Sequence, residues 1–384
     1  MTTTINKEQK NPNVPNLRFP EFEGEWQEKR LSDIADLSKG IGISKDQLSA
    51  DGEPCILYGE LYTKYKSETI KEVISKTNID NTKLVKSKAN DVIIPCSGET
   101  AEEIATARCV LKDDILLGGD LNIIRLHGYD GSFMSYQLNG KRKYDIAKVA
   151  QGVSVVHLYG EHLKNIKTIN PSLNEQKKIA NLLSLLDERI STQNKIIDKL
   201  QSLIKGIRHD IFNDIQGEVL ALSNIADIYQ PQTISSSDLT TEGYWVYGAN
   251  GIIGKYKEYN HETEQICITC RGNTCGTVNY AQAKVWITGN SMVINTDKYQ
   301  RQVNKRFLFH YLSSYNFNSI VSGSGQPQIV RTPLEKIKVV LPTIEKQVRI
   351  ANSIDIVSEK IDTESLVLRL LENQKQYLLR QMFI

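Results

Sequence analysis

The segment PSLNEQKKIANLLSLLDERISTQNKIIDKLQSLIKGIRHDIF, residues 171–212, decides the fold of this chain. Its apolar residues recur at alternating intervals of four and three, with one polar member. The positions are Ile179, Leu183, Leu186, Ile190, Gln193, Ile197, Leu200, Ile204, Ile207 and Ile211. A 3.5-residue repeat is typical of a left-handed coiled coil, whereas an ordinary amphipathic core helix has a wider stripe with a 3.6-residue period. The segment therefore predicts a coiled-coil helix of about 40 residues and about 60 Å.

The same seam recurs at the end of the chain. Its positions there are Ile350, Ile354, Val357, Ile361, Glu364, Leu368, Leu371, Lys375, Leu378 and Met382. Two further motifs repeat: LSDIAD at 31–36 returns as LSNIAD at 222–227, and CSGET at 96–100 returns as CRGNT at 270–274. A run of matches in constant order indicates a duplication, in which each half is a globular part followed by a helix.

The globular parts show the local signals of an irregular α+β domain. Short β-type runs lie at 91–95, 121–126, 266–269 and 292–294, and glycine-containing turns separate them. The first long helix opens with a capping-box pattern, in which Ser172 would accept from the amide of Glu175 while that side chain reaches back. Thr343 begins the second long helix as a cap.

These signals predict an α+β fold with two globular domains and two long helices that form an antiparallel coiled coil. We predict a disordered N-terminus at 1–15, globular domains at 16–168 and 214–340, and coiled-coil helices at 169–213 and 341–384. The duplication implies pseudo-two-fold symmetry, with the domains at opposite ends of the helices. Duplex DNA suits such a shape, because its backbone has two-fold symmetry while its two half-sites can differ in sequence.

The composition permits this interpretation without demanding it. The chain has 384 residues, with 47 basic and 45 acidic side chains and a net charge of +2, so it lacks the strong positive charge of many DNA-binding domains. No apolar run is long enough for a membrane span, and the polar N-terminus argues against secretion. Six cysteines in a chain of this size are not expected to form a disulfide framework, so we expect a cytoplasmic protein.

Several motifs together resemble the specificity subunits of type I restriction–modification systems. They are NLRFPEF at 16–22 with Glu25-Trp26, the two LSxIAD motifs, YGANGIIG at 247–254, RGNT at 271–274 and NEQKKI at 174–179. The resemblance covers the chain from about residue 15 to its end. The second helix departs from the Glu-Gln opening, and the first domain departs from the glycine-rich pattern of the second.

The resemblance implies a DNA-binding restriction-system subunit whose two target recognition domains each read one half of a bipartite site in double-stranded DNA. It implies that the helices set the spacing and dock a pair of methyltransferase subunits, which bring in the restriction subunits. No cofactor would then be bound by this chain. S-adenosylmethionine, ATP and Mg²⁺ are expected on the partner subunits, which would carry out adenine methylation and ATP-dependent cleavage.

No motif in the sequence indicates a catalytic centre or a metal site. The string nearest to an adenine-methyltransferase loop, NPSL at 170–173, lacks the second proline and the aromatic residue, and Gly254-Lys255 lacks the remainder of a P-loop. Cys267, Cys270 and Cys275 have a zinc-like spacing, but the first two are three apart on a predicted strand and should face opposite ways. We therefore expect a recognition subunit, not an enzyme.

Polar and basic residues in the glycine-containing loops are the candidates for DNA contact, since such loops can enter a groove and offer donors and acceptors. In the first domain they are Lys39, Ser44, Lys45, Ser97, Thr100, Gln151 and Ser154. In the second they are Gln230, Gln232, Tyr247, Asn250, Lys255, Arg271, Asn273, Thr274, Gln326 and Gln328. Each could instead be an ordinary solvated turn residue.

One alternative remains open at this point, namely a coiled-coil scaffold or adaptor with protein-binding heads. The heads diverge while the helices stay constant, which favours two different DNA half-sites. Arg271 is the strongest single candidate, because its guanidinium can form a fork to guanine or to a phosphate. The equivalent Ser97 cannot, so the two domains should read different bases from this turn.

Overall fold

The computed structural model describes residues 13–152, 155–249, 251–323 and 325–384. The chain divides into two compact units, the first of Met1–Asn194 with Val367–Ile384, and the second of Lys195–Leu366. Each unit holds one globular domain and a part of each long helix. Residues 1–12, most of the predicted disordered N-terminus, lie outside the described residues.

The elements of the first half follow the predicted order, in which a globular part precedes a long helix. In chain order they are β1 (Gln27–Arg30), α1 (Leu31–Ile34), β2 (Ala35–Lys39), β3 (Leu48–Ser49), β4 (Glu53–Ile56), α2 (Glu60–Thr63), β5 (Thr69–Ile70), β6 (Ser75–Thr77), β7 (Val85–Lys86), β8 (Asp91–Pro95), β9 (Ser97–Gly98), α3 (Ala101–Ile104), β10 (Arg108–Val110), β11 (Leu116–Leu117), β12 (Leu121–Leu126), α4 (Gly131–Asn139), α5 (Lys143–Val149), β13 (Val156–His157), α6 (Gly160–Lys164), β14 (Lys167–Asn170) and α7 (Leu173–Asn213).

The second half repeats this plan with fewer elements. They are β15 (Glu218–Ala221), β16 (Asp227–Tyr229), β17 (Tyr244–Gly248), β18 (Gly251–Tyr256), β19 (Gln265–Thr269), β20 (Val278–Ala281), β21 (Trp286–Ile287), β22 (Ser291–Asn295), α8 (Lys305–Ser314), α9 (Arg331–Glu335), β23 (Lys338–Leu341) and α10 (Ile344–Gln381). The four predicted strands correspond to β8, β12, β19 and β22.

A five-stranded sheet in the order β2-β12-β8-β10-β5 organises the first domain. Its central strand β8 is buried along its whole length, and alternate side chains enter different cores, with Val92 and Ile94 on one side and Ile93 on the other. A second sheet, β3-β6-β4-β11-β7, adds to the domain. β1 pairs antiparallel with β14, so the first and last strands of the domain lie side by side next to the start of α7.

The second domain is also organised by a sheet whose buried strand contributes side chains to two cores. This sheet has four strands in the order β16-β22-β19-β20. On β19, Ile266 and Ile268 enter one core while Cys267 enters another. Cys270 packs with the first of these cores, so Cys267 and Cys270 face opposite ways as the strand period predicts. A smaller sheet, β18-β17-β21, lies beside the main sheet, and β15 pairs with β23 as β1 pairs with β14.

The long helices pair antiparallel inside each unit, as predicted. In the first unit, Ile179 and Leu183 at the start of α7 pack with Met382 and Phe383 at the end of the chain. In the second unit, Phe212 at the end of α7 packs in the same core as Ala351 near the start of α10. Every predicted seam position is buried or half-buried, which confirms the 3.5-residue pattern.

A glutamine pins each domain to the start of its long helix. Gln176 accepts from the Asp130 amide at 2.9 Å, and Gln347 accepts from the Asn304 amide at 2.8 Å. Asp130 and Asn304 are the N-caps of α4 and α8, so the two pins are equivalent. Each glutamine also donates to the carbonyl of the proline that precedes its helix. The pins are therefore a shared feature of the duplicated fold.

The predicted capping role of Glu175 is wrong. The Ser172 hydroxyl accepts from the Glu175 amide at 3.4 Å, but the Glu175 carboxylate binds Arg18, with Nε and Nη2 each at 2.8 Å. The carboxylate side chain is 1% exposed, so this is a buried, two-point ion pair. It fastens the N-terminal segment to α7, a contact between residues too distant in sequence for a local motif to show.

Buried polar joints also connect each domain with the helices. In the first unit, Lys375 Nζ lies 2.6 Å from both Glu68 and Asp187, and Tyr136 donates to Asp187 at 2.8 Å. Burial raises the pKa of Glu68. Burial alone would lower the pKa of Lys375, but the two carboxylates raise it, so the lysine stays charged.

The second unit builds its joint around a histidine. His310 takes the place in α8 that Tyr136 has in α4, and its Nε2 lies 2.8 Å from Asp355. Arg208 donates to Nδ1 at 2.9 Å, so the ring is neutral with its proton on Nε2. Burial lowers the pKa of His310 to about 4. Arg306 also pairs with Asp355, which completes the joint.

Candidate nucleic-acid interface

Three predicted contact residues of the first domain lie together where β2 and β8 end. Lys39 is the last residue of β2, and Ser97 follows β8. The Ser97 hydroxyl lies 3.2 Å from His157 Nδ1, and Gln151 exchanges backbone hydrogen bonds with His157 at 2.9 and 2.7 Å. Lys39 Nζ lies 5.7 Å from the centroid of the Tyr159 ring. The fold thus brings Lys39, Ser97 and Gln151 to one surface.

The second domain gathers Gln230, Arg271 and Gln328 in the corresponding place. Arg271 and Gln328 are bridge partners, and Gln328 exchanges backbone hydrogen bonds with Ser322 at 2.8 Å each way. The Gln230 amide donates to the Gly289 carbonyl, which anchors that side chain beside the Arg271 turn. The three residues come from three different loops, and the sheet brings these loops together at one edge.

A cavity of about 340 Å³ opens among these side chains. Its lining is Tyr229, Gln230, Cys270, Arg271, Met292, Gln328, Ile329, Val330 and Arg331. Arg331 is held by Glu335 at 2.7 Å, whereas Arg271 is exposed and has no carboxylate partner among the described residues. Burial raises the pKa of the Cys270 thiol, so it is neutral. The cavity mouth therefore offers amide groups and one uncommitted guanidinium.

The two surfaces share one framework and differ in side chains. Ser97 stands where Arg271 stands, and His157 stands where Gln328 stands, since each pair is bridged in the same way. Gln151 corresponds to Ser322, and Lys39 at the end of β2 corresponds to Gln230 just after β16. A shared backbone with different hydrogen-bonding groups suits two sites that read different sequences.

Other predicted residues have local roles, lie in the core or occupy exposed loop positions, and Asn273, Thr274 and Gln326 are close in sequence to Arg271 or Gln328. The Thr100 hydroxyl caps α3 by accepting from the Glu103 amide at 3.2 Å, and Ser44 with Gln47 forms a capping box next to Lys45. Tyr247 is half-buried and packs on the core that contains Cys267. Exposed positions on loops or turns are held by Gln232, Asn273, Thr274 and Gln326. Ser154 and Asn250 lie outside the described residues.

Two residues at the first surface were not predicted. His157 is not among the predicted contact residues, yet it contacts Ser97 and Gln151 at the centre of the candidate face. Tyr159, 44% exposed, stacks beside it with ring centroids 6.2 Å apart. The internal repeat carried the missing signal for His157, because the equivalent Gln328 was already a candidate.

Lys255 contacts an aromatic residue, Trp245, that was not among the predicted contact residues. Its Nζ lies 4.8 Å from the Trp245 ring, across the antiparallel pair β17 and β18. The contact holds a flexible cation in place over an exposed ring.

The groups at both surfaces can form hydrogen bonds and charge interactions. Within the described ranges, no group of histidine, cysteine, aspartate or glutamate residues is placed to hold a metal ion. The groups that converge are amides, hydroxyls, an imidazole, a guanidinium and ammonium groups, which match base edges and phosphates.

The family model for the type I restriction modification DNA specificity domain matches residues 23–202 and 215–373. The chain belongs to this family. The two matches cover both halves of the duplication, one match to each.

Curated relatives have corresponding names. The chain is 25% identical to the type I restriction enzyme MjaVIII specificity subunit of Methanocaldococcus jannaschii, over 93% of this chain and 91% of that protein. It is 29% identical to the EcoprrI specificity subunit of Escherichia coli over 156 residues, which is 39% of this chain. That match spans 37% of the E. coli protein.

Solved structures support the fold. The S subunit of a type I restriction–modification system from M. genitalium has a TM-score of 0.70 at 19% identity, with 97% of this chain and 99% of that chain covered. A chain from a structure of type I complex assembly and conformational transition has a TM-score of 0.53 at 15% identity. Among the described helices of this chain, none is long and apolar enough to cross a membrane.

Proposed function

We propose that this chain is the DNA recognition subunit of a type I restriction–modification complex, in which each globular domain reads one half of a bipartite site. One observation carries the proposal, namely that equivalent bridged turns hold Ser97 and His157 in one domain but Arg271 and Gln328 in the other. A common backbone that presents different donors and acceptors favours two unequal half-sites over two copies of one protein-binding head.

We further propose that α7 and α10 set the distance between the half-sites and dock methyltransferase subunits. Both helices expose large apolar side chains away from their shared seam, which supports docking. They are Leu185, Ile196, Leu203, Ile356, Leu366, Leu370 and Tyr377. Methylation with S-adenosylmethionine and ATP- and Mg²⁺-dependent cleavage then belong to the partner subunits, and restriction subunits join through the methyltransferase pair.

The test is to map modified bases in a host that expresses the methyltransferase subunits with and without this chain. We expect one bipartite sequence with two unlike halves, modified only when the chain is present. Methyltransferase subunits alone are the matched control. Modification that does not depend on the chain, or a single uninterrupted site, contradicts the proposal.

Binding to random duplexes separates DNA recognition from scaffolding. With methyltransferase subunits, the full chain should retain a selected sequence from a random pool. An adaptor with protein-binding heads would assemble with its partners and select no sequence.

A further inference from the structure

In the smaller sheet β18-β17-β21 of the second domain, β17 and β18 form an outer ribbon whose end is exposed and apolar. β21 pairs with the other side of β17 only at Val246 and Tyr247, so the ribbon end at Gly248 and Gly251 extends beyond β21. β17 and β18 pair antiparallel from Tyr244 and Tyr256 down to Gly248 and Gly251. Along the ribbon, Trp245, Ile252 and Ile253 are 44%, 52% and 50% exposed. Three large apolar side chains on this ribbon are therefore available for contact with a partner.

The end of the ribbon is held next to the Arg271 turn. The Thr269 hydroxyl donates to the Ala249 carbonyl, and Thr269 ends β19 just before Cys270 and Arg271. The Thr288 amide donates to the Tyr247 carbonyl at 2.9 Å, in the loop whose Gly289 carbonyl accepts from Gln230. The apolar ribbon end is therefore continuous with the candidate DNA surface.

The backbone at the ribbon end is fixed by glycine. Gly251 has a φ of +101°, in the left-handed region that favours glycine. A Cβ on Gly248 would meet Ile253 Cγ2 at 2.7 Å, so Ile253 lies directly over that glycine. The side chain is thus placed before any partner binds, which lowers the entropy cost of binding.

We propose that this ribbon enters the major groove of the second half-site and packs Ile252 and Ile253 against thymine 5-methyl groups. The major groove admits a two-stranded β-ribbon, and the thymine methyl is the apolar group that base edges present there. Lys255, stacked on Trp245, then lies beside the phosphates. This inference rests on the proposed function and adds the chemical group that the second domain reads.

The first domain provides an internal contrast. Tyr58-Gly59 of the first domain repeats Tyr247-Gly248 of the second, but there the chain enters α2, where Glu60 and Leu61 are buried. No exposed ribbon stands at that place, so the first half-site should not depend on apolar contacts from this segment.

The experiment replaces thymine by uracil, which removes only the 5-methyl group. The full chain with its methyltransferase subunits first selects its site from a random duplex pool. Binding is then measured on duplexes in which each thymine of the second half-site is replaced in turn. We expect about threefold to fivefold weaker binding for each contacted methyl, the value of one buried carbon.

The double variant Ile252→Ser, Ile253→Ser should weaken binding to the thymine duplex and respond no further to uracil, because the lost contact cannot be lost twice. Ile252→Val with Ile253→Val should keep the uracil response. Val219→Ser, at a similarly exposed residue of β15, is the matched control and should bind as the wild type does. Reading of the first half-site should stay the same in every variant.

Three results overturn the inference. One is a second half-site that has no thymine or tolerates uracil throughout. Another is a serine variant that still responds to uracil as the wild type does. The third is unchanged sequence choice with weaker retention of methyltransferase subunits, which would make the ribbon a protein-docking surface. If the wild type selects no sequence at all, the proposed function fails first and the ribbon assignment falls with it.

Discussion

Arg271 and Ser97 occupy equivalent turns, but only the arginine can offer two parallel donors. We expect Arg271→Ala to lose about 1–3 kcal/mol of discrimination at one position of the second half-site, because a bidentate contact to guanine contributes that much. Mapping of modified sequences together with DNA affinity and melting temperature measures the three effects separately.

Arg301→Ala is the control for Arg271, since Arg301 is an exposed arginine of the second domain that does not line the cavity. It should leave sequence choice unchanged. If Arg271 contacts only a phosphate, its loss weakens all sequences alike and reduces the salt slope by about one unit. A melting shift with unchanged affinity and unchanged site choice would remove Arg271 from the interface.

His157 gives the corresponding prediction for the first domain. His157→Gln installs the side chain that Gln328 has in the second domain, on the same bridged backbone. We expect a changed base preference of about 1–3 kcal/mol at one position of the first half-site only. His127→Gln, at an exposed histidine paired with Asp36 at 3.1 Å, should change nothing. A second half-site that changes with His157 contradicts the assignment.

Side-chain partners were the part of the site that the sequence could not supply. Residue type and turn signals predicted that Lys39, Gln230 and Arg271 lie at the ends of strands, where the structure has them, because loops after strands follow from local pattern. In the structure, Thr100 caps a helix and Tyr247 packs on a core, and both outcomes depend on tertiary packing. The ion pair of Glu175 with Arg18 likewise joins distant segments.

At the scale of elements, the joint at His310 makes the second unit sensitive to acid. Burial holds the pKa of His310 at about 4, against an ordinary value of 6.5. At a pH between these two values, this histidine binds a proton in the unfolded chain but not in the folded chain. The free energy of unfolding therefore falls as the pH falls through this window. The effect reaches about 3 kcal/mol for a shift of this size.

Unfolding of His310→Gln by urea at pH 7 and pH 5 checks this sign. Glutamine can still donate to Asp355 but cannot titrate, so the variant should lose less stability on acidification than the wild type. His261, whose pKa burial also lowers to about 4, keeps part of the slope. His209→Gln, at an exposed residue of α7, should leave the slope unchanged. An unaltered slope in His310→Gln contradicts the joint's role.

Elements were predictable to the extent that their signals are local. The 3.5-residue seam gave α7 and α10 almost to their ends, and buried apolar runs gave β8, β12, β19 and β22. The sheet order β2-β12-β8-β10-β5 could not be predicted from the sequence, because long-range packing determines which non-sequential strands become neighbours. Very short strands such as β5 and β7 carry too few residues for a period-2 pattern to show.

For the whole molecule, we propose that the length of α7 and α10 sets the spacing between the half-sites. Four residues inserted after Gly206, with four more after Val357 in the facing part of α10, should move the half-sites apart by one or two base pairs. The inserted turn adds roughly 6 Å of helix, while base pairs are about 3.4 Å apart along the duplex. Gly206 has open space around it, so the helix surface there tolerates change.

The rotation that accompanies this insertion fits DNA as well. Four residues exceed a 3.6-residue turn by about 40°, and DNA twists by roughly 35° per base pair, so a domain moved along the groove still meets it in phase. Mapping of modified sequences should show both half-sites unchanged and only the spacer lengthened. Four residues inserted after Gly128, an exposed turn of the first domain, are the control and should leave the spacer as it was. Retention of the original spacing after the paired helix insertion would mean that α7 and α10 do not measure the distance, and that the methyltransferase subunits position the domains instead.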